Sequence, residues 1–252
     1  VMSQPVAPQT AIIVGASRGI GAALARELAG RGYTLGLLSR NQEQLHQLAD
    51  ELRSSYSTHV ETGSLDVCDQ ASVAPTLQHL FQTFGQVDLV IVNSGVAGAR
   101  KAGDGNIAKD RRIIETNLLG AIAVTDVAVA QFKQQGSGHL VGISSVSANF
   151  AIPGSGAYSA SKAALTNYLE ALRLEVAKFK ITITIVHPGF VNTDIAPGME
   201  KYPFVTTPEN VAREIANGIA KKKKNMVVPR LPWGLIMPVL RLIPDSIKTR
   251  VF

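Results

Sequence analysis

The glycine-rich turn that begins at Gly15 is the feature that most constrains this chain. It reads G-A-S-R-G-I-G over residues 15–21, directly after the apolar run T-A-I-I-V at residues 10–14 and directly before a helical run at 22–30. A short apolar run without alternation suits a strand buried on both faces of a parallel sheet. Strand, sharp turn and helix in immediate succession begin a βαβ unit. The glycines let the backbone approach a pyrophosphate, whose charge the helix N-terminus favours. A βα loop that holds no ligand has the same appearance, so the rest of the chain must decide.

Strand-like runs recur at residues 34–38, 59–63, 89–92, 140–144, 181–186 and 226–228. Helical stretches alternate with them at 41–53, 71–84, 108–135, 158–179 and 208–220. The clearest strand is 181–186, where Ile and Thr alternate. The pattern predicts an α/β fold, a doubly wound parallel sheet in three layers. One domain is expected over 10–229, after a polar leader at 1–9 and before an apolar and basic extension at 230–252. Asn117 lies inside the long helix beside Gly120 and competes for backbone groups, so a local distortion or a polar contact is expected there. Residues 97–106 form a glycine-rich loop with no assignable chemistry. Residues 190–207 lack periodicity, and their Pro, Gly and aromatic residues suit a lid over an apolar substrate.

Composition narrows the class. With 252 residues, 46% apolar and 17% charged, the chain is long enough for a large core and too apolar to be disordered. The net charge is +6, but four lysines stand in one run at 221–224, so no nucleic-acid partner is expected. Cys68 is the sole cysteine, which forbids an intrachain disulfide and points to a reducing compartment, the cytoplasm. The leader lacks a signal pattern, no metal site is expected, and no apolar stretch is expected to reach the ~20 residues of a spanning helix.

Candidate site residues gather at strand ends. About 20 residues past the glycines stand Ser39 and Arg40, where an acidic residue would bind a free ribose 2′-hydroxyl. Arg40, with Ser39 beside it and Arg18 in the glycine turn, instead favours a 2′-phosphate and so NADP over NAD. The bland alternative for Arg40 is a surface arginine opening the next helix. Asp66, followed by Val67, either caps a turn or hydrogen-bonds an adenine amino group. Asn93-Ser94-Gly95 closes another strand; Asn93 is suited to stitching strand ends, and Gly95 to leaving room for a ribose. Farther on, residues 145–162 read S-V-S-A-N-F-A-I-P-G-S-G-A-Y-S-A-S-K. Tyr158 and Lys162 share one helix face, and the Pro-Gly loop lets Ser145 fold back toward the phenol. A phenol ionises near pH ~10, and a neighbouring ammonium would have to supply roughly 4 kcal/mol to lower it by about 3 units. His187, without a visible carboxylate partner, reads as a structural imidazole. Y-x-x-x-K alone is common.

Five motifs agree in order and spacing: the glycine turn, Asn93-Ser94-Gly95, Asn117, Ser145 with Tyr158 and Lys162, and Pro188-Gly189. Over residues 11–228 the chain resembles the short-chain dehydrogenase/reductase family. The resemblance implies that Tyr158 gives a proton to a carbonyl oxygen and that Lys162 lowers its pKa and holds the nicotinamide ribose. It implies that Ser145 hydrogen-bonds the substrate oxygen and that Asn117 holds a water linking Lys162 to solvent. Cofactor contacts are expected from Gly15, Ser17, Arg18, Gly19, Ile20 and Gly21, from Ser39, Arg40, Asp66 and Val67, and from Asn93, Ser94 and Gly95. Pro188, Gly189, Val191 and Thr193 complete them, with Thr193 at the carboxamide. The implied activity is NADP(H)-dependent interconversion of a carbonyl and an alcohol on an apolar small molecule. A 3-oxoacyl thioester reductase is the nearest alternative. A non-catalytic NADP(H) sensor or scaffold would be expected to lack Tyr158, Lys162 or Ser145, and all three are present.

The chain departs from the family in having Ser94 where alanine is usual, and in its tail. Residues 231–243 read L-P-W-G-L-I-M-P-V-L-R-L-I. Three readings compete: the tail covers the pocket or fills an oligomer interface, lies on a membrane surface beside the 221–224 lysines, or packs on its own domain. A homodimer through the two long helices, or a homotetramer, is expected.

Overall fold

The computed structural model describes residues 9–150, 153–193 and 204–240. Expectations for the leader, for most of the lid and for the end of the tail lie outside the described residues.

Seven strands form one parallel sheet: β1 (Thr10–Val14), β2 (Thr34–Ser39), β3 (Val60–Ser64), β4 (Leu89–Val92), β5 (Gly138–Ile143), β6 (Ile181–Pro188) and β7 (Asn225–Val228), in the order β3-β2-β1-β4-β5-β6-β7. Every residue of β1 is buried, as its unbroken apolar run requires. Ile13 joins the core on one face and Ile12 the core on the other. The first core takes its helical side chains from α1 (Gly19–Gly30), α2 (Gln42–Tyr56) and α7 (Pro208–Ala220). The second takes them from α3 (Gln70–Phe84), α5 (Gly120–Gln135) and α6 (Gly156–Val176). The order reverses between β1 and β4, and ligands of such sheets bind at the carboxyl ends of the strands beside that point.

Start signals written in the sequence are used. Asn41 caps α2 by accepting the Gln44 N–H at 3.1 Å, and Thr207 caps α7 ahead of Pro208. The predicted long helix is three pieces in one line: α4 (Ile107–Ile114), a π-helical turn at Glu115–Leu119, and α5. Asn117 sits inside the π turn, so the distortion expected from it is present.

One expectation fails. The stretch Ile107–Gln135 is long and apolar enough to cross a membrane by length and composition, because a window average tolerates isolated charges that interrupt an apolar run. Half of its most apolar window is buried inside the fold. The lysines at 221–224 run into the start of β7, whereas the tail leaves from its end, so the two are separated by the length of that strand.

Candidate active site

A cleft of about 1180 Å³ runs along the carboxyl ends of the strands. At one end lies the glycine turn. Gly15 has φ +88° and donates its N–H to the Leu38 carbonyl at 2.7 Å. A Cβ at this position would stand 2.7 Å from the Ser94 nitrogen, so only glycine lets the turn lie against the end of β4. Gly21 serves packing: its Cβ would meet the Gly15 carbonyl oxygen at 2.1 Å and the Asn93 side-chain nitrogen at 2.6 Å. That nitrogen donates to the Gly15 carbonyl at 2.7 Å, which is the stitch expected of Asn93. Gly19 and Gly21, expected as contact residues, do not line the cleft; Ser17, Arg18, Ile20, Ser94 and Gly95 do. The N-cap of α1, Arg18, makes no side-chain cap bond and leaves the orphan N–H groups of that helix without a side-chain acceptor.

Ser39, Arg40, Asp66 and Val67 line the same end. Asp66 accepts the Cys68 N–H at 3.0 Å, so the turn-capping alternative holds. Its other oxygen lies 3.7 Å from the Arg40 guanidinium, a half-exposed pair of the kind worth less than about 1 kcal/mol. The Ser39 hydroxyl donates to the Asn41 carbonyl at 3.1 Å. Asn41 and Gln44, which the sequence did not single out, join the lining here.

Farther along the cleft, Ser145 stands just after β5, while Tyr158 and Lys162 stack along the first turns of α6. The Ser145 oxygen accepts the Ser147 N–H at 3.1 Å, and its hydroxyl is hydrogen-bonded to the Tyr158 phenol. Lys162 donates to the Ile143 carbonyl at 2.8 Å, and its Nζ lies 5.9 Å from the Tyr158 ring centroid. It stands beside Gly95, whose absent Cβ would be 3.5 Å away. Burial pushes the Tyr158 phenol above its ordinary value, and the Ser145 hydrogen bond pulls it partly back. Burial also lowers the Lys162 ammonium from 10.5 to about 8. The expectation that Lys162 lowers the tyrosine is thus reversed in the protein alone: burial of the phenol outweighs the offset from Ser145, and the ammonium is itself penalised by burial.

Asn117 is fully buried and does not line the cleft. Its side chain clamps the segment that follows β4, accepting the Val96 N–H at 2.8 Å and donating to the Val96 carbonyl at 2.9 Å and to the Ser161 hydroxyl at 3.1 Å. Both amide N–H groups are thereby committed, so a water held at this residue would have to use something other than those donors. His187 is structural, as expected: its Nδ1 lies 3.2 Å from the Ser145 carbonyl, and burial lowers its pKa.

The substrate end was least legible. Residues 96–99, at the start of the loop without assignable chemistry, line the cleft together with Lys109, Ser147, Pro153 and Phe190. The loop is held across the mouth by the Arg100 N–H on the Gly154 carbonyl at 3.1 Å, while the Arg100 guanidinium binds Asp104 and Asp110. From the tail, α8 (Trp233–Leu240) brings Trp233 into an aromatic cluster with Val146, Phe150 and Phe190. This agrees with the reading in which the tail packs on its own domain.

With this geometry in place, comparison with known proteins decides the family. A family model described as short chain dehydrogenase matches residues 9–202. The chain belongs to that family. A relative in Mycobacterium tuberculosis, named an uncharacterized oxidoreductase, is 32% identical over 97% of this chain and 98% of its own. Dehydrogenase/reductase SDR family member 7B of Bos taurus is 31% identical over 86% of this chain and 72% of its own. Among solved structures, the alcohol dehydrogenase of Thermococcus sibiricus complexed with 5-hydroxy-NADP superposes with a TM-score of 0.79 at 28% identity, covering 87% of this chain and 95% of that one. A short-chain dehydrogenase/reductase of Burkholderia phymatum in complex with NAD gives 0.83 at 22% identity over 97% and 96%, a likeness of fold. The chain is accordingly an oxidoreductase of the short-chain family, with a seven-stranded Rossmann-type sheet.

Proposed function

We propose that this short-chain oxidoreductase uses NADP(H) to interconvert a carbonyl and an alcohol on an apolar small molecule. One observation carries the reading: a single cleft has Arg18 and Arg40 at one end and the Ser145–Tyr158–Lys162 cluster at the other. The residues suit a dinucleotide. A glycine turn without Cβ atoms and the uncapped start of α1 favour a pyrophosphate, and the two guanidiniums favour a 2′-phosphate. The weak Arg40–Asp66 pair leaves Arg40 available to exchange its partner. The Thermococcus neighbour, which holds an NADP derivative, supports the same choice.

When bound, the dinucleotide supplies or accepts the hydride at the carbon of the reacting C–O group. The protein handles the oxygen. Tyr158 gives that oxygen its phenolic proton in reduction and takes one back in oxidation. Ser145, its own oxygen held by the Ser147 N–H, donates a hydrogen bond from its hydroxyl to the same oxygen and keeps its proton. Lys162 keeps N–H donors beyond the one spent on Ile143, and these would be available to hold a nicotinamide ribose. As the phenol loses its proton, the ammonium stabilises the phenolate. Val96, Ala97, Pro153 and Phe190 give the substrate end its apolar character. Leu119 and Leu174, 42% and 80% exposed on the π turn and on α6, support pairing of two copies through the long helices.

The test is oxidation of NADPH against NADH across aldehydes, apolar ketones and 3-oxoacyl thioesters, with cofactor binding measured alongside. Preference for NADPH with apolar ketones is expected. Tight NADPH binding without turnover on any member would replace this reading with the sensor or scaffold.

A further inference from the structure

We infer that Trp233 is a positioning residue for the nicotinamide end of the cleft, a strut by which the C-terminal helix fixes the turn Gly189-Phe190 and so the segment through Thr193. The inference rests on the reading of the cleft as a dinucleotide site.

The turn leaves β6 at Pro188, and Gly189, Phe190, Val191 and Thr193 all line the cleft. Trp233 does not; it is 4% exposed and lies behind them. Its indole rests directly on Gly189: a Cβ added there would be 2.2 Å from Nε1 and 2.4 Å from Cδ1. The Pro-Gly step thus has a reason beyond ligand approach, because the missing Cβ is the seat of a side chain from a distant part of the chain. The Phe190 ring meets the indole edge-on at 4.8 Å between centroids, and Phe150 stacks on it at 6.3 Å and 11°. Val146, next to Ser145, belongs to the same cluster. One indole therefore ties the turn at the nicotinamide end to the loop that carries the Ser145 hydroxyl.

Other contacts complete the frame. The Gly189 N–H donates to the Val228 carbonyl at 2.8 Å. Val191 bridges Thr206, with the Asn192 N–H on the Thr206 carbonyl at 2.9 Å and the Thr206 N–H on the Phe190 carbonyl at 3.0 Å. The turn is held from the side by Thr206 and from behind by Trp233. Removing the indole leaves a hole behind the backbone that must place the ring, and displacement of a reacting group by about 1 Å is enough to cost much of the rate. The indole N–H has no acceptor among the described residues, so the bulk of the ring, rather than its donor, is what the turn uses. Phenylalanine should therefore substitute for it.

Trp233 is the one tryptophan of the chain, which makes it its own reporter. Wild-type protein is titrated with NADP⁺ and with adenosine 2′,5′-bisphosphate, which lacks the nicotinamide half, while Trp233 emission is followed. NADP⁺ should change the emission, and the bisphosphate should bind without changing it. Calorimetry on the variants gives the second readout. Trp233→Ala should weaken NADPH about tenfold and leave the bisphosphate unaffected, whereas Trp233→Phe should stay within about threefold of wild type for both. The inference is overturned if NADPH affinity survives Trp233→Ala, if both ligands weaken alike, or if both change the emission alike. Should Trp233→Ala not fold, the wild-type emission and Trp233→Phe still decide. Failure of wild-type protein to bind either nucleotide would instead overturn the NADP(H) reading itself.

Discussion

At the glycine turn the contacts come from neighbours in sequence or on adjacent strands: Gly15 against Ser94, Gly21 against Gly15 and Asn93, Arg40 against Asp66. At the substrate end, Val146, Phe150, Phe190 and Trp233 meet from three separate stretches of the chain, and Arg100 reaches Gly154. A phosphate is recognised by backbone shape and charge, which a few consecutive residues can set. An apolar substrate is recognised by a packed wall, which only the assembled chain provides. One end is therefore open to motif reading, and the other end is where the chain is individual.

The comparison can be broken by separating chemistry from binding. Tyr158→Phe should lower turnover by about 10³-fold with NADPH affinity essentially unchanged, since it removes a transferable proton and leaves the ring. Substantial residual turnover would show that the proton comes from elsewhere. Arg40→Asp sharpens the phosphate end: NADPH should bind about 30-fold more weakly, with NADH little affected. Equal losses for the two cofactors would remove Arg40 from the choice between them.

The smallest effect concerns stability. Lowering Lys162 from 10.5 to about 8 makes its buried charge cost roughly 3 kcal/mol. Lys162→Met abolishes that penalty but leaves the Ile143 carbonyl unpaired, which costs about 2 kcal/mol. The variant should be inactive yet about 1 kcal/mol more stable at neutral pH, as denaturant unfolding would show. Because the folded-state pKa lies below the unfolded one, the wild type gains stability as pH rises from about 8 to 10.5, and the advantage of the variant should fade and then reverse over that window. An advantage that stays constant with pH would mean that the ammonium is not the source of strain.

Strands, helices and their order were legible because buried runs and caps are local, as β1 and the Asn41 and Thr207 caps show. Of the four residues to which the family resemblance gives a catalytic role, Ser145, Tyr158 and Lys162 line the cleft. Asn117 does not, since a polar residue inside a helix announces a distortion without saying which way its side chain will turn. The packing role of Gly21 was hidden for a similar reason: a missing Cβ does not reveal whether ligand or backbone fills its place. The direction of the Tyr158 shift depends on burial, which spacing does not encode. Trp233 was visible in the tail, but its seat on Gly189 exists only once β6 and β7 lie side by side.

The apolar stretch Ile107–Gln135 meets the length and hydropathy of a bilayer span, yet in the folded protein it serves as the pillar behind β4 and β5. Its proper solvent is the sheet, and β5 emerges during synthesis only after the whole stretch has been made. For that interval the apolar window of this stretch has no complete sheet to cover it. How long it stays uncovered then depends on how quickly the residues that follow Gly136 arrive.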